Sequence, residues 1–251
     1  MGVRAVLFDY GHTLVDFRRT EEALLDAYEA IRARIEAALY MEAPEVGHLI
    51  DRVAGEIDRR VGASYEARRL EEIDLVALFD EVLRATLGLT VPPDVVQHVV
   101  ALDHSAFSKT ITVSEETLDV LRSLRDRGLL LGLVSNVSLL PHLMRADLEA
   151  LGILALLDST TFSSEVGTRK PDPRIFRDAL EKLGVAPEEA VFVGDRLMDD
   201  VDGAQRLGMR AILTREFRQE EDPTVRPDAV IDRLGELPAV LGTMDDPGRP
   251  G

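Results

Sequence analysis

Val3-Arg4-Ala5-Val6-Leu7-Phe8-Asp9-Tyr10-Gly11-His12-Thr13-Leu14 is the stretch on which the reading of this chain turns. Its apolar run is too short to span a membrane, and it ends in an aspartate, a glycine-containing turn and a threonine. That pattern reads as a buried strand whose C-terminal end presents a carboxylate, where open parallel sheets place ligand sites. Alone it reads equally well as a buried strand followed by a polar turn. The segments that follow decide between the two.

After Leu14 strand texture stops for almost a hundred residues. Leu24, Tyr28, Ile31, Ile35 and Leu39 recur at the three-four spacing of an amphipathic helix. Val46, Leu49, Ile50, Val53, Ile57 and Val61 repeat it, as do Ile73, Val76, Phe79, Val82 and Leu83. Pro92-Pro93 opens a fourth stripe with Val95, Val99 and Leu102. From Thr112 the rhythm becomes alternating. Ser114 can cap a helix that Gly128 stops, and the apolar run 129–134 ends at Ser135-Asn136. Further strands are expected at 159–162, 191–193, 210–213 and 229–231, with a helix at about 201–207 between those at 191–193 and 210–213.

The expected architecture is therefore α/β: a Rossmann-like parallel sheet core with an inserted all-helical, four-helix cap. Residues 1–15 and 109–243 would form the core and 16–108 the cap, hinged near 16–20 and 108–112. Residues 244–251, polar and rich in Pro and Gly, would fray.

Composition narrows the function. Among 251 residues, 46 acidic against 29 basic side chains give a net charge of −17, which repels phosphate backbones and anionic lipids. Neither a nucleic acid nor a membrane is an expected partner. A small anionic substrate stays open, because a bound cation reverses the field of a pocket. Without cysteine the chain has no disulfide, thiolate metal site or thiol nucleophile. No signal pattern opens the chain, so a cytoplasmic monomer or homodimer is the expectation.

Four polar groups fall where apolar strands or their following loops end: Asp9, Ser135, Lys170, and Asp195 with Asp199 and Asp200. In a parallel sheet they can converge on one edge. Converging carboxylates suit Mg²⁺, which keeps waters and takes phosphate oxygens as further ligands. A lysine and a serine beside them can hold a phosphoryl group, and one carboxylate can attack phosphorus in line.

This ordered set resembles the haloacid dehalogenase-like (HAD) hydrolase superfamily over nearly the whole chain. Asp9-Tyr10-Gly11-His12-Thr13 matches the nucleophile motif, usually Asp-x-Asp-Gly-Thr. Ser135 with Asn136 matches the second motif, and Lys170-Pro171-Asp172-Pro173 the third. Gly194-Asp195-Arg196-Leu197-Met198-Asp199-Asp200 matches the fourth. The resemblance implies a hydrolase that uses Mg²⁺ to cleave a small phosphorylated metabolite. Asp9 would be nucleophile and metal ligand. Asp195, Asp200 and the backbone carbonyl of Gly11 would complete the protein's share of the metal site. Ser135 and Lys170 would act in catalysis and, with Thr13 and Asn136, hold the phosphoryl group.

One departure stands out. Family phosphatases carry a second aspartate two residues after the nucleophile, which protonates the leaving oxygen and then activates water. Here that position is Gly11, and the family's usual glycine is His12. His12 either takes part in proton transfer or is a loop histidine facing the cap or solvent. Two metal-free or Schiff-base branches fit less well. Haloacid dehalogenases lack the fourth motif's Gly-Asp, and phosphonoacetaldehyde hydrolases need a cap lysine, whereas the lysines here are Lys109, Lys170 and Lys182. A catalytically silent binding protein on the same fold is the remaining alternative.

Overall fold

A computed structural model of the chain describes residues 2–244. The tail expected to fray lies, from residue 245 onward, outside the described residues, and Met244 closes the last helix.

Six parallel strands form one sheet in the order β3-β2-β1-β4-β5-β6. They are β1 Ala5–Phe8, β2 Leu130–Ser135, β3 Ser159–Phe162, β4 Ala190–Gly194, β5 Arg210–Thr214 and β6 Ala229–Ile231. Burial on both faces explains why β1 and β4 are continuous apolar runs rather than alternating ones: every residue of both is buried. β1 lies at the centre, with Phe8 level with Leu133 of β2 and Val193 of β4. The strand order reverses beside β1, which is where a doubly wound sheet opens a crevice at its C-terminal edge.

The helices packed on this sheet carry the capping chemistry their sequences advertise. The Ser114 hydroxyl accepts from Thr117 N at 3.0 Å at the start of the Glu115–Asp126 helix. Asp172 caps the Pro173–Leu183 helix by accepting from Arg174 N at 2.8 Å. That helix buries Ile175, Phe176, Ala179, Leu180 and Leu183, and Phe176 meets Phe192 of β4 edge to face with ring centres 5.2 Å apart.

The chain divides into two compact units. Among the described residues one comprises 2–16, Thr112–Val137 and 144–244, and holds the sheet. The chain leaves and re-enters it at a paired point: Thr112 N donates to Asp16 O at 2.8 Å, and Asp16 N to Thr112 O at 3.1 Å.

The other unit, Phe17–Ile111 with Ser138–Leu143, is helical. Its helices are Glu21–Leu39, a run over 46–66, Leu75–Leu87 and Pro93–Ser108. Thr20 and Asp74 cap the first and third through bonds to Ala23 N and Ala77 N. The run over 46–66 is not uniform: it widens into a π turn at Ile50–Ala54. Its buried residues Leu49, Val53 and Ile57 are four apart and share one side of the run. Ser138–Leu143 joins this unit through buried Leu139 and through Ser138, whose hydroxyl donates to Glu72 Oε1 at 2.7 Å. No helix among the described residues is long and apolar enough to cross a membrane.

Candidate active site

All four strand-end groups lie in the sheet-bearing unit, at the C-terminal ends of β1, β2 and β4 and in the loop before the Pro173–Leu183 helix. Asp9 directly follows β1, and its backbone N–H donates to Val193 O at 2.9 Å, which ties it to β4. Asp195 directly follows β4, and Ser135 is the last residue of β2. All three are buried.

Lys170 is the centre of the cluster. Its Nζ donates to Asp9 Oδ1 and to Asp200 Oδ1, each at 2.6 Å, and it lies 5.2 Å from the centre of the Phe192 ring. Burial alone would lower the lysine's pKa, but Asp200 and Asp9 outweigh it and hold the ammonium charged. Asn136 places this lysine: its Oδ1 accepts from Lys170 N at 2.7 Å, and its Nδ2 donates to Lys170 O at 3.1 Å. Both polar ends of the Asn136 side chain are thus engaged with the Lys170 backbone.

Asp200 is reached by an unusual path. The helical texture expected from about residue 201 begins earlier, as a π turn at Leu197–Asp202 that continues into Gly203–Gln205. Met198-Asp199-Asp200 in that turn show no apolar stripe, so its start is hidden from a periodicity reading. The turn folds Asp200 back over the end of β4, where its Oδ2 accepts from Arg196 N at 3.0 Å. Gly194 makes this possible, because a Cβ there would stand 2.3 Å from Asp200 Oδ2 and 2.6 Å from Asp200 Cβ. Gly194→Ala is expected to cost about 1–3 kcal/mol of stability through overpacking. By pushing Asp200 off Lys170 it should also lower turnover by about 10²-fold. Urea unfolding and steady-state rates on the same preparation measure both.

Asp9, Asp195 and Asp200 each offer an oxygen within 4.8 Å of the others. Desolvation pushes the Asp9 carboxyl up to about 7, with Asp200 and Asp195 adding and Lys170 opposing. Asp195 is pushed up to about 6 by burial and then by Asp200, while Arg218 opposes. Against the three carboxylates stand two cations: Lys170, and Arg218, whose Nε donates to Asp195 Oδ2 at 2.5 Å. One negative charge is left over in a buried nest of hard oxygen donors. The residues present therefore fit a small divalent cation such as Mg²⁺.

The loop after β1 turns through His12, whose φ of 61° lies in the left-handed region where glycine is the easier residue. His12 N donates to Val15 O at 2.7 Å, and its Nδ1 lies 3.4 Å from Asp16 Oδ1. Thr13 is fully buried, and its hydroxyl has no hydrogen-bond partner among the described residues.

The structure thus brings Asp9, Lys170, Asp195 and Asp200 together, with Ser135 buried at the end of the neighbouring strand. Sequence reasoning missed Arg218 and the positioning bond of Asn136 to Lys170. Arg218 sits in the charged run Arg215-Glu216-Phe217-Arg218-Gln219-Glu220-Glu221-Asp222, where nothing distinguishes it from a solvated surface arginine.

A doubly wound parallel sheet that gathers a lysine-bridged set of carboxylates at its strand ends has the build of an α/β enzyme with its site at the carboxyl edge. The model of the haloacid dehalogenase-like hydrolases matches residues 3–208, and the chain belongs to that family. It is 33% identical over 241 residues to the glyceraldehyde 3-phosphate phosphatase of Methanopyrus kandleri, covering 94% of this chain and 95% of that protein. Among solved structures it is similar to a HAD phosphatase from Thermococcus onnurineus, with TM-score 0.60, 29% identity and coverage of 96% and 98%. A 2-haloacid dehalogenase from Pseudomonas syringae matches with TM-score 0.66, 28% identity and coverage of 96% and 99%. The chain is a HAD-family hydrolase with phosphatases among its relatives.

Proposed function

We propose that this hydrolase is a Mg²⁺-dependent phosphatase that cleaves a small phosphomonoester through an aspartyl-phosphate on Asp9. The observation that carries the reading is Lys170 bridging Asp9 and Asp200 beside Asp195. A lysine held charged among three carboxylates fixes the nucleophile and leaves a net negative nest for a cation. The glyceraldehyde 3-phosphate phosphatase relative supports a small phosphorylated metabolite as substrate.

Asp9, Asp195 and Asp200, with the Gly11 carbonyl, would hold the Mg²⁺, which when bound neutralises charge on the phosphoryl oxygens. Lys170 keeps Asp9 Oδ1 in place, leaving Oδ2 to attack phosphorus. The Asp9–phosphorus bond forms as the bond to the leaving oxygen breaks. Ser135, the buried Thr13 hydroxyl and Lys170 receive the transferred group, and Asn136 acts through Lys170. Water then attacks phosphorus, releasing inorganic phosphate and restoring the Asp9 carboxylate.

Gly11 has no side chain to give the leaving oxygen a proton. His12, whose Nδ1 lies 3.4 Å from Asp16 Oδ1 in the loop after β1, takes that part. His12→Ala should therefore cut turnover of an alkyl phosphate by about 10²–10⁴-fold. It should affect p-nitrophenyl phosphate, whose leaving group needs little protonation, far less. Equal losses on both esters would remove His12 from proton transfer.

The parent assay is p-nitrophenyl phosphate and a phosphate-ester panel, each with Mg²⁺ and with chelator. No Mg²⁺-dependent phosphate release on any of them would sink the phosphatase reading and leave a binding protein on the same fold. The Pseudomonas syringae dehalogenase neighbour favours a second reading, which halide release from a 2-haloacid without metal would support.

A further inference from the structure

We infer that Arg218 is a positioning residue for the cation site: it holds Asp195 in the orientation that ligates the metal. This rests on the cation reading above and assigns a role to a side chain outside the four motif segments.

Arg218 Nε donates to Asp195 Oδ2 at 2.5 Å. The aspartate is 2% exposed, whereas the arginine side chain is 34% exposed and enters from the solvent side. An ion pair between two exposed groups contributes little. Here one partner is buried among like charges, so its orientation depends on the donors that reach it. A guanidinium N–H on one oxygen fixes the plane of the carboxylate and directs the other oxygen. This is how hydrogen bonds to a ligating carboxylate tune metal affinity.

The loop that carries Arg218 is braced around this contact. It leaves β5 with Arg215 N donating to Ile231 O at 2.9 Å. Glu216 Oε2 accepts from Leu234 N at 2.8 Å, which anchors the near side. Glu220 Oε2 accepts from Leu197 N at 2.5 Å, pinning the far side to the same turn that carries Asp200. Two residues before Arg218 and two after it, the loop is therefore tied down, once to the β6 side and once to the metal-side turn. Asp9 and Asp200 receive their cation from Lys170. Asp195 receives its own from Arg218 in the loop after β5.

Arg218 also places a positive charge near the cation, and repulsion alone would make its removal tighten binding. The two effects predict opposite signs, so the experiment is decisive. Mg²⁺ binding to the full chain is measured by titration calorimetry, without substrate, for the parent protein, Arg218→Met, Arg218→Lys and Glu220→Ala. Positioning predicts that Arg218→Met weakens Mg²⁺ binding by about 10–100-fold. Arg218→Lys should recover only part, since an ammonium keeps the charge but not the planar donor geometry. Glu220→Ala, which frees the loop without touching Asp195, should weaken binding by a smaller factor. If Arg218→Met does not fold by circular dichroism, Arg218→Lys, which keeps the charge, carries the same test. Unchanged or tighter Mg²⁺ binding in the variants overturns the inference while leaving the cation reading intact. No Mg²⁺ binding by the parent protein overturns both.

Discussion

Asp9→Asn is expected to lower phosphomonoester turnover by about 10⁴-fold or more while the chain stays folded. A carboxamide is no nucleophile at phosphorus, so covalent transfer stops. Its oxygen can still accept from Lys170 as Asp9 Oδ1 does, which preserves the lysine's position. Stability should not suffer. Burial, Asp200 and Asp195 already push the Asp9 carboxyl up to about 7, so a neutral group relieves crowding in the nest. Steady-state turnover and a thermal melt on the same sample check both halves. Retention of more than about 1% of turnover would place the nucleophile elsewhere.

Lys170→Met is expected to have the largest effect on the fold itself, costing about 3–5 kcal/mol. Lys170 is 4% exposed and its ammonium is shared by two buried carboxylates at 2.6 Å, so its loss strands both without a counter-charge. The deficit should depend on pH in a defined direction. Asp9 already titrates above its ordinary 3.8 in the fold, chiefly through burial, and losing Lys170 raises it further. A group whose folded pKa is raised stabilises while protonated, and that contribution is lost as pH rises through the folded value. The gap between parent and variant in denaturant unfolding should therefore widen as pH is raised from about 6 to about 9. A gap that is flat with pH would mean that Asp9 does not carry the stranded charge.

The sheet was legible in the sequence because burial on both faces writes a strand as a short continuous apolar run, as at Ala5–Phe8 and Ala190–Gly194. The strand-end positions of Asp9, Ser135 and Asp195 followed from that. The contact of Lys170 with Asp200 did not, because it depends on the π turn at Leu197–Asp202 and on the space that Gly194 leaves free. Asn136 could be seen as a polar residue at a strand end, but its bonds to a backbone 34 residues away could not. Arg218 was invisible for the same reason: its partner is set by how the loop after β5 lies over β4, and no local pattern encodes that. His12 was legible as an oddity. The structure adds that it occupies a left-handed position, so a glycine there would relax the turn and a histidine is held against a backbone preference.

Asp16 and Thr112 are paired by two backbone hydrogen bonds, so joining these residues directly would close the sheet-bearing unit almost without moving its backbone. In that sense 17–111 is a module that recombination could add or remove at one clasp. Ser138–Leu143 makes removal less simple. Excising 17–111 would deprive Ser138 of the Glu72 carboxylate and bare Leu139, both a few residues beyond Ser135 and Asn136. Exchange of the module between relatives would therefore have to carry two pieces of sequence together, 17–111 and the short segment 138–143. A chimera that swaps only the long one would inherit a loop after β2 tailored to the helices it has lost.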